Sequence, residues 1–238
     1  MVVPALKNFF PDRSVAMRIW RGPFRGACIL MNPRHSLRKA FGLYEHELNR
    51  WLEHALSRIE TVIDIGANDG YFTFGCAAAF QRLKKPGKIF AFEPCEKAYT
   101  QLLATERRRQ LKNGFVANIN ITIVHRSVGS AESAQSTTLD TLMRESVIEP
   151  QCALIKIDVE GAECDVIDGA SCWLNGSNLF LIEVHREMDV SQIQARFAVE
   201  GLELDCIHQR PLRVLGREHR QKGNCWLVSR LIRSHLCS

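Results

Sequence analysis

Strand-like and helix-like segments alternate through the middle of this chain, and this alternation limits the possible folds more than any other feature of the sequence. Short apolar runs typical of buried strands occupy residues 61–65, 88–92, 119–124, 154–157 and 179–184. Helical patterns lie between or after them, at residues 71–83, 96–110, 160–168 and 190–200. Strands followed by helices at this spacing predict an α/β fold with a mostly parallel sheet and helices on both faces.

Two further strands are predicted near the C-terminus. Residues 201–209 and 224–230 have strand composition, and a basic loop rather than a helical pattern joins them. Parallel neighbours need a long crossover connection, which is usually helical. The last strand is therefore predicted to return antiparallel to the rest of the sheet.

The N-terminal segment is predicted to form an extension of this domain. Residues 16–32 predict two short strands around a Gly-Pro turn, and the apolar stripe over residues 36–59 predicts a helix capped by Ser36. No composition shift marks a second domain in the 238 residues. We predict an N-terminal extension at 1–35 and a single larger domain at 36–238.

Composition argues against several classes of protein. Hydrophobic residues make up 46% of the chain, yet no apolar run approaches the roughly 18 residues of a membrane span. The first residues lack the features of a secretory signal, so a cytoplasmic location is predicted. The nine cysteines are scattered without a Cys-x-x-Cys pair, which argues against disulfides and structural zinc.

Charge is distributed unevenly, with basic ends around an acidic middle. Residues 1–40 hold eight Lys or Arg and one acid, whereas residues 41–208 carry a net charge of −8. If the strand before it runs parallel to the sheet, the basic segment 210–224 begins at the carboxyl edge of the sheet. It would then lie beside a ligand-binding cleft, on the side where an acceptor substrate would bind. It then favours an acceptor bearing phosphate, carboxylate or sulfate. RNA remains an alternative, but residues 209–222 lack the aromatic side chains on which single-stranded bases stack.

The segment "VIDIGANDGYFTF", residues 62–74, predicts a cofactor loop after the first strand of the sheet. A dinucleotide needs Gly-x-Gly-x-x-Gly for its pyrophosphate, but only Gly66 and Gly70 are present here. Asp64 and Asp69 would also repel phosphates. S-adenosylmethionine has no phosphate and carries an ammonium and a sulfonium, so acids near the loop favour it. The next strand ends in "IFAFEP", where Glu93 is predicted to accept both ribose hydroxyls.

A second acidic motif, "LIKIDVEGAE", predicts the reacting side of the site. Its strand ends at Asp158, and the following strand ends in "LIEVH", which places His185 on the same rim. Methyl transfer needs an aligned acceptor atom and benefits from a base that removes its proton, for which Asp158 and His185 are both candidates. Glu160 is predicted to orient the acceptor or to hold the loop. A divalent metal on Asp158, Glu160 and Glu163 is a less favoured alternative.

These motifs together resemble the FkbM-type methyltransferase family. The similarity runs over residues 41–186, through "FGLYEHEL", "VIDIGANDGYFTF", "IFAFEP", "SVGS", "TTLDTL", "IKIDVEGAE" and "LIEVH". It implies a class I, Rossmann-like methyltransferase fold and S-adenosylmethionine as donor. It also implies an acceptor hydroxyl on a sugar, glycolipid or secondary metabolite. The segment between "SVGS" and "TTLDTL" is shorter than in many relatives, which weakens any transfer of acceptor identity.

We therefore predict an S-adenosylmethionine-dependent O-methyltransferase. Its alternatives are an RNA methyltransferase and a non-catalytic protein of the same fold. The predicted catalytic residues are Asp158, Glu160 and His185. The predicted cofactor-binding residues are Asp64, Gly66, Ala67, Asn68, Gly70, Glu93, Pro94, Ser127, Val128 and Asp158.

Overall fold

The protein is a three-layer α/β structure in which a twisted sheet separates two groups of helices. The computed structural model describes residues 10–113, 118–145, 148–212 and 225–231. The strands are β1 Val15–Arg18, β2 Cys28–Met31, β3 Thr61–Ile65, β4 Gly87–Phe92, β5 Ile119–Val124, β6 Ser127–Val128, β7 Ser136–Thr137, β8 Ala153–Ile157, β9 Leu179–Val184, β10 Leu204–His208 and β11 Cys225–Ser229. The helices are α1 Pro33–Ala40, α2 Asn49–Arg58, α3 Tyr71–Leu83, α4 Glu96–Asn113, α5 Leu139–Arg144, α6 Glu163–Asp168 and α7 Glu187–Val199, with short 3₁₀ helices at His46–Leu48 and Ser171–Trp173.

The central sheet has seven strands in the order β10-β11-β9-β8-β3-β4-β5. Strand β3 pairs in parallel with β4 and β8, and β8 pairs in parallel with β9. Strand β11 lies between β9 and β10 and is antiparallel to both. The predicted fold class, including the antiparallel last strand, is confirmed. Because β10 runs parallel to β9, the segment that follows β10 starts at the carboxyl edge of the sheet.

Strands β3, β4, β8 and β9 at the centre of the sheet are buried on both faces and are mostly apolar. On β3, Val62 packs into the core beneath α2 and α3, whereas Ile63 and Ile65 pack into the opposite core beneath α6 and α7. On β4, Ile89 and Phe90 divide between the same two cores. Alternate side chains leave a strand on opposite faces, which explains this division.

The predicted single helix over 36–59 with Ser36 as its cap is wrong. Helix α1 starts three residues earlier, where the Asn32 side chain accepts a hydrogen bond from the Arg34 amide at 3.0 Å and Pro33 occupies the first turn. Gly42 and Glu45 then adopt left-handed conformations, with φ of 66° and 49°, which interrupt the helix before α2. Ser36 lies inside α1.

The predicted pair of N-terminal strands is confirmed as the antiparallel hairpin β1–β2. The turn between them inserts Phe24 into the core, where its ring meets Tyr71 and Phe72 edge to face at centroid distances of 5.1 and 5.5 Å. The hairpin is therefore packed directly on the start of α3. The division of the chain at residue 35 stays a prediction.

Two observations bear on the expected class of protein. Within the described ranges, no helix combines the length and the apolarity that crossing a membrane requires. The eight cysteines in those ranges are free thiols, and Cys76 and Cys225 are buried among them.

Candidate active site

The loop between β3 and α3 forms the floor of the site. Its path needs left-handed backbone at Gly66 and Gly70, both with φ of 82°, and at Asn68, with φ of 48°. A Cβ on Gly66 would lie 1.9 Å from the Asp158 carbonyl oxygen, so only glycine lets the loop pass the end of β8. The amides of Gly66 and Ala67 both donate to the Phe92 carbonyl at 3.0 Å. The loop is therefore fastened to the carboxyl ends of two strands.

Glu93 lies beside this loop at the end of β4. Its buried carboxylate accepts hydrogen bonds from the Asn68 amide at 2.7 Å and from the Cys95 amide at 2.8 Å. Each carboxylate oxygen has a further lone pair, so each can still accept a hydrogen bond from a ligand hydroxyl. The neighbouring Pro94 carbonyl accepts from the ring of His125 at 3.0 Å.

Ser127 and Val128 form β6, which pairs in parallel with β7. The Ser127 hydroxyl donates to the Gln135 carbonyl at 3.2 Å, and Val128 is buried in the core that contains Phe92 and Leu139. Residues 127–137, which follow β5 in the chain, thus form a small two-stranded sheet.

Asp64 lies beneath the loop, where it is fully buried. It accepts a hydrogen bond from the Thr73 hydroxyl at 2.5 Å, and its second oxygen lies 3.4 Å from the Lys156 ammonium. Burial raises the pKa of Asp64, and the charge of Lys156 and the Thr73 hydrogen bond oppose that shift. The loop, β3 and α3 are therefore joined through this carboxylate.

Lys156 connects Asp64 to the open part of the site. Its ammonium lies 3.1 Å from the second carboxylate, Asp158, and contacts the Gly66 carbonyl at 3.4 Å. Burial alone would lower the pKa of Lys156, but Asp158 and Asp64 outweigh it and raise that pKa. Lys156 is thus a buried, charged residue shared by two carboxylates. The motif "IKID" contains it, but nothing in the sequence pattern assigned it a role.

Asp158, His185 and Glu163 form a chain of ionisable groups at the rim. The Nδ1 atom of His185 lies 2.7 Å from Glu163 Oε1, and its Nε2 atom lies 3.7 Å from Asp158 Oδ1. The hydrogen bond to Glu163 raises the pKa of His185, while burial opposes the rise. In Glu163, burial acts to raise the pKa, but the hydrogen bonds with His185 and with the Gly161 and Glu163 amides together outweigh it and lower that pKa. The structure therefore brings Asp158 and His185 together, with Glu163 fixing the ring.

Glu160 is separate from this chain. It is exposed on the loop after β8 and has a left-handed conformation with φ of 55°. The potential ligand atoms of Asp158, Glu183 and His185 lie within 4.8 Å of one another, which is close enough for a cation. However, Lys156 lies 3.1 Å from Asp158, and its charge would repel a divalent ion. We assign no metal to this group.

A pocket opens where the loop meets the covering segment between α1 and α2. It is lined by Lys39, Tyr44, Glu45, Gly66, Ala67, Asn68, Asp69, Tyr71, Phe72, Lys156 and Asp158. The Tyr71 amide, at the start of α3, is already bonded to Asp69 Oδ1 at 3.1 Å. A carboxylate at this helix N-terminus disfavours a pyrophosphate there, and the acidic lining favours a cationic ligand.

The fold is that of the class I, Rossmann-like methyltransferases. A sequence profile described as the methyltransferase FkbM domain matches residues 64–198, which is more than half of the chain. The chain therefore belongs to the FkbM methyltransferase family.

Two known proteins illustrate the relationship. The chain is 22% identical over 164 residues to the hexuronic acid methyltransferase AglP of Haloferax volcanii, and the match covers 63% of this chain and 66% of AglP. It also resembles the crystal structure of methyltransferase FkbM from Methylobacillus flagellatus, with a TM-score of 0.53 and 19% identity. That match covers 80% of this chain and 54% of the crystallised one. The chain thus spans slightly less than two thirds of one relative and about half of the other.

Proposed function

We propose that this protein transfers the methyl group of S-adenosylmethionine to a hydroxyl of a sugar, glycolipid or secondary metabolite. The observation that carries the proposal is the Asp158–His185–Glu163 chain at the rim of a pocket lined by the cofactor loop. Acidic residues around that pocket suit a donor that carries an ammonium and a sulfonium. When bound there, the donor would supply an activated methyl group.

The residues of the protein would bind the donor, remove the acceptor proton and align the reacting atoms. Glu93 would hold the ribose, as its free lone pairs allow, and the loop at Gly66 would admit the donor close to the backbone. Neutral His185 would accept the hydroxyl proton at Nε2, because Glu163 engages the opposite nitrogen. Asp158 would stabilise the resulting imidazolium. Alignment of the acceptor oxygen with the methyl group would supply much of the rate.

A carbohydrate acceptor is supported by one relative and by charge. AglP is named as a hexuronic acid methyltransferase, and a hexuronic acid carries a carboxylate. The basic segment 210–224 begins at the carboxyl edge of the sheet, with Arg210 exposed, and an anionic sugar would suit it. Arg213 and Arg217 lie outside the described residues. Their contribution to the KM of the acceptor stays a prediction.

The proposal is tested with isotope-labelled S-adenosylmethionine and a panel of uronic acids, nucleotide sugars and polyprenyl-linked glycans. Mass spectrometry should show a single methyl gain on one acceptor class. His185→Gln should lower the single-turnover rate by about 100-fold, since general bases typically contribute 10²- to 10⁴-fold. His54→Gln, an exposed histidine on α2, is the matched control and should keep the wild-type rate.

Other outcomes would contradict parts of this assignment. Calorimetry that shows no S-adenosylmethionine binding would reject the donor and with it the proposed activity. Binding without turnover on any acceptor would favour a non-catalytic protein of this fold. Wild-type rates in both His185→Gln and Asp158→Asn would remove the proposed base. A rate that falls in chelator and returns with magnesium would overturn the metal-free mechanism.

A further inference from the structure

Lys39 is held inside the pocket rather than extended into solvent. It lies in the last turn of α1, and its side chain is only 17% exposed. Its ammonium contacts Asp69 Oδ2 at 2.5 Å and lies 4.9 and 5.3 Å from the ring centroids of Tyr44 and Tyr71. Two aromatic faces and a carboxylate fix the cation in position. An ammonium donates three hydrogen bonds, so Lys39 can still bind a further acceptor.

Glu45 lines the same pocket in an unusual backbone conformation. It is 7% exposed and has a left-handed φ of 49°, which costs a non-glycine residue free energy. It lines the same pocket as Lys156, and its charge contributes to the raised pKa of that lysine. Residues held in sparsely populated conformations concentrate at functional sites. A buried carboxylate is thus held on the covering segment, directly above the cofactor loop.

Three backbone amides at the start of α3 are already engaged. The Asn68 amide donates to Glu93, the Gly70 amide donates to the Ala67 carbonyl, and the Tyr71 amide donates to Asp69. Amides of this kind are among the donors through which a loop–helix junction binds an anion. A ligand carboxylate in this pocket therefore gains less from these three amides, which favours the Lys39 ammonium as its partner.

The charges of the pocket match one half of the proposed donor. Lys39 and Lys156 are positive and Glu45, Asp69 and Asp158 are negative, which leaves one net negative charge. The methionine half of S-adenosylmethionine has a carboxylate, an ammonium and a sulfonium, which leaves one net positive charge. We propose that Lys39 binds the α-carboxylate of the donor and that Glu45 faces its α-ammonium. This inference rests on the proposed function and assigns the orientation of the donor within the site.

The test compares ligands that lack successive charged groups of the donor. Calorimetry measures the affinity of S-adenosylmethionine, of its decarboxylated analogue, and of 5′-methylthioadenosine, a neutral thioether that lacks the carboxylate, the ammonium and the sulfonium charge. Wild-type protein should prefer the carboxylated donor to the decarboxylated analogue by roughly 10- to 100-fold, the range of a charge-assisted hydrogen bond. Lys39→Met should remove that preference by weakening only the carboxylated donor. Glu45→Gln should weaken both amine-bearing ligands and leave 5′-methylthioadenosine unchanged.

Lys88→Met is the matched control, because Lys88 is exposed near the amino end of β4, away from the carboxyl edge of the sheet where the pocket lies. Equal loss for both amine-bearing ligands in Lys39→Met, or loss for neither, would overturn the inference. If Lys39→Met does not fold, equal wild-type affinities for the carboxylated and decarboxylated ligands would still overturn the inference, since they would exclude carboxylate recognition. If wild-type protein binds none of the three ligands, the proposed function itself fails. Selective binding of S-adenosylmethionine with an unchanged Lys39→Met affinity rejects only the role of Lys39.

Discussion

Asp64 lies near the end of β3 and Asp158 directly follows β8, yet the surroundings of the two carboxylates give them different roles. Asp64 is completely buried and bonded to Thr73, whereas the Asp158 side chain is 26% exposed and faces His185. Lys156 lies between the two and compensates both charges. Removing a single partner from such a group leaves an unpaired buried charge, which is far more costly than losing a surface ion pair. Asp64 thus holds the site together, and Asp158 is the carboxylate that a ligand can reach.

The protonation of His185 should govern the pH dependence of the reaction. Glu163 on α6, Glu183 on β9 and Asp158 after β8 all raise its pKa above the usual 6.5. A base must be neutral, so the single-turnover rate should rise with pH through an apparent pKa above 6.5. Glu163→Gln should shift that midpoint to lower pH, because the hydrogen bond with the Glu163 carboxylate is the largest contribution to the raised pKa of His185. Rate profiles and the histidine NMR titration both measure this midpoint.

The same shift has a defined effect on stability. A pKa that is raised on folding stabilises the protein below the usual pKa, and this contribution is lost as pH rises through the raised value. The stability difference between wild type and Glu163→Gln should therefore shrink above that value. Asp165→Asn, an exposed acid on the same helix, should leave the His185 midpoint in place. An unshifted midpoint in Glu163→Gln would show that Glu163 does not control the ring.

At the scale of elements, the junction of β3 with α3 depends on one close backbone contact. Gly66→Ala introduces a Cβ 1.9 Å from the Asp158 carbonyl and places alanine at a φ of 82°. Because the neighbouring atom is backbone, the strand end must move, and we expect a loss of about 3 kcal/mol or more in unfolding free energy. Denaturant unfolding measures the loss.

Gly201→Ala is the control that measures the cost of an alanine at positive φ without a steric clash. Gly201 also has a positive φ, of 71°, but a Cβ there would meet nothing within 4 Å. Its cost should stay near 1 kcal/mol, which is the conformational penalty alone. Equal losses at the two positions would mean that the close approach of β3 to β8 is not limiting.

The sequence predicted strands better than it predicted the covering segment. Strands β3, β5 and β9 have the predicted bounds, because apolar or β-branched residues dominate each of them and a glycine or a histidine follows each end. The break between α1 and α2 was missed, since it depends on Glu45 adopting a left-handed conformation that only tertiary contacts sustain. The asparagine–proline pair before α1 was an available signal.

The same contrast applies within the site. Asp158 and His185 could be placed on one rim because the carboxyl ends of parallel strands share an edge of the sheet. The positions of Lys39 and Glu45 could not be predicted, because they reach the loop from a segment that is distant in sequence. Burial of Lys156 was equally hidden, since a lysine within a strand is ordinarily expected at the surface.

At the scale of the molecule, the N-terminal hairpin and the sheet share one core. Phe24 is 2% exposed and packs against Gly75, where an added Cβ would lie 2.4 Å from its ring. Phe24→Ala should therefore destabilise the whole protein by about 3–5 kcal/mol within a single unfolding transition. Far-UV circular dichroism and tryptophan fluorescence should report the same midpoint.

Phe41→Ala is the control for that substitution, because the Phe41 ring is 53% exposed and its removal should change stability by less than about 0.5 kcal/mol. Two separate transitions, or a Phe24→Ala loss no larger than that of Phe41→Ala, would show that the hairpin folds independently. That result would favour a true domain division near residue 35.

Strand β11 has a consequence for how the chain is made. It is inserted between β9 and β10. The carbonyl oxygen of its last residue, Ser229, accepts a hydrogen bond from the Trp51 indole at 3.0 Å, and the Ser229 hydroxyl oxygen accepts one from the Phe180 amide at 2.8 Å. During synthesis, the edges of β9 and β10 that pair with β11 stay unpaired until residues 225–229 have left the ribosome. The sheet therefore closes late, through contacts of long sequence separation that form slowly. A nascent chain of this protein would be most exposed to aggregation, and to chaperones, in that interval.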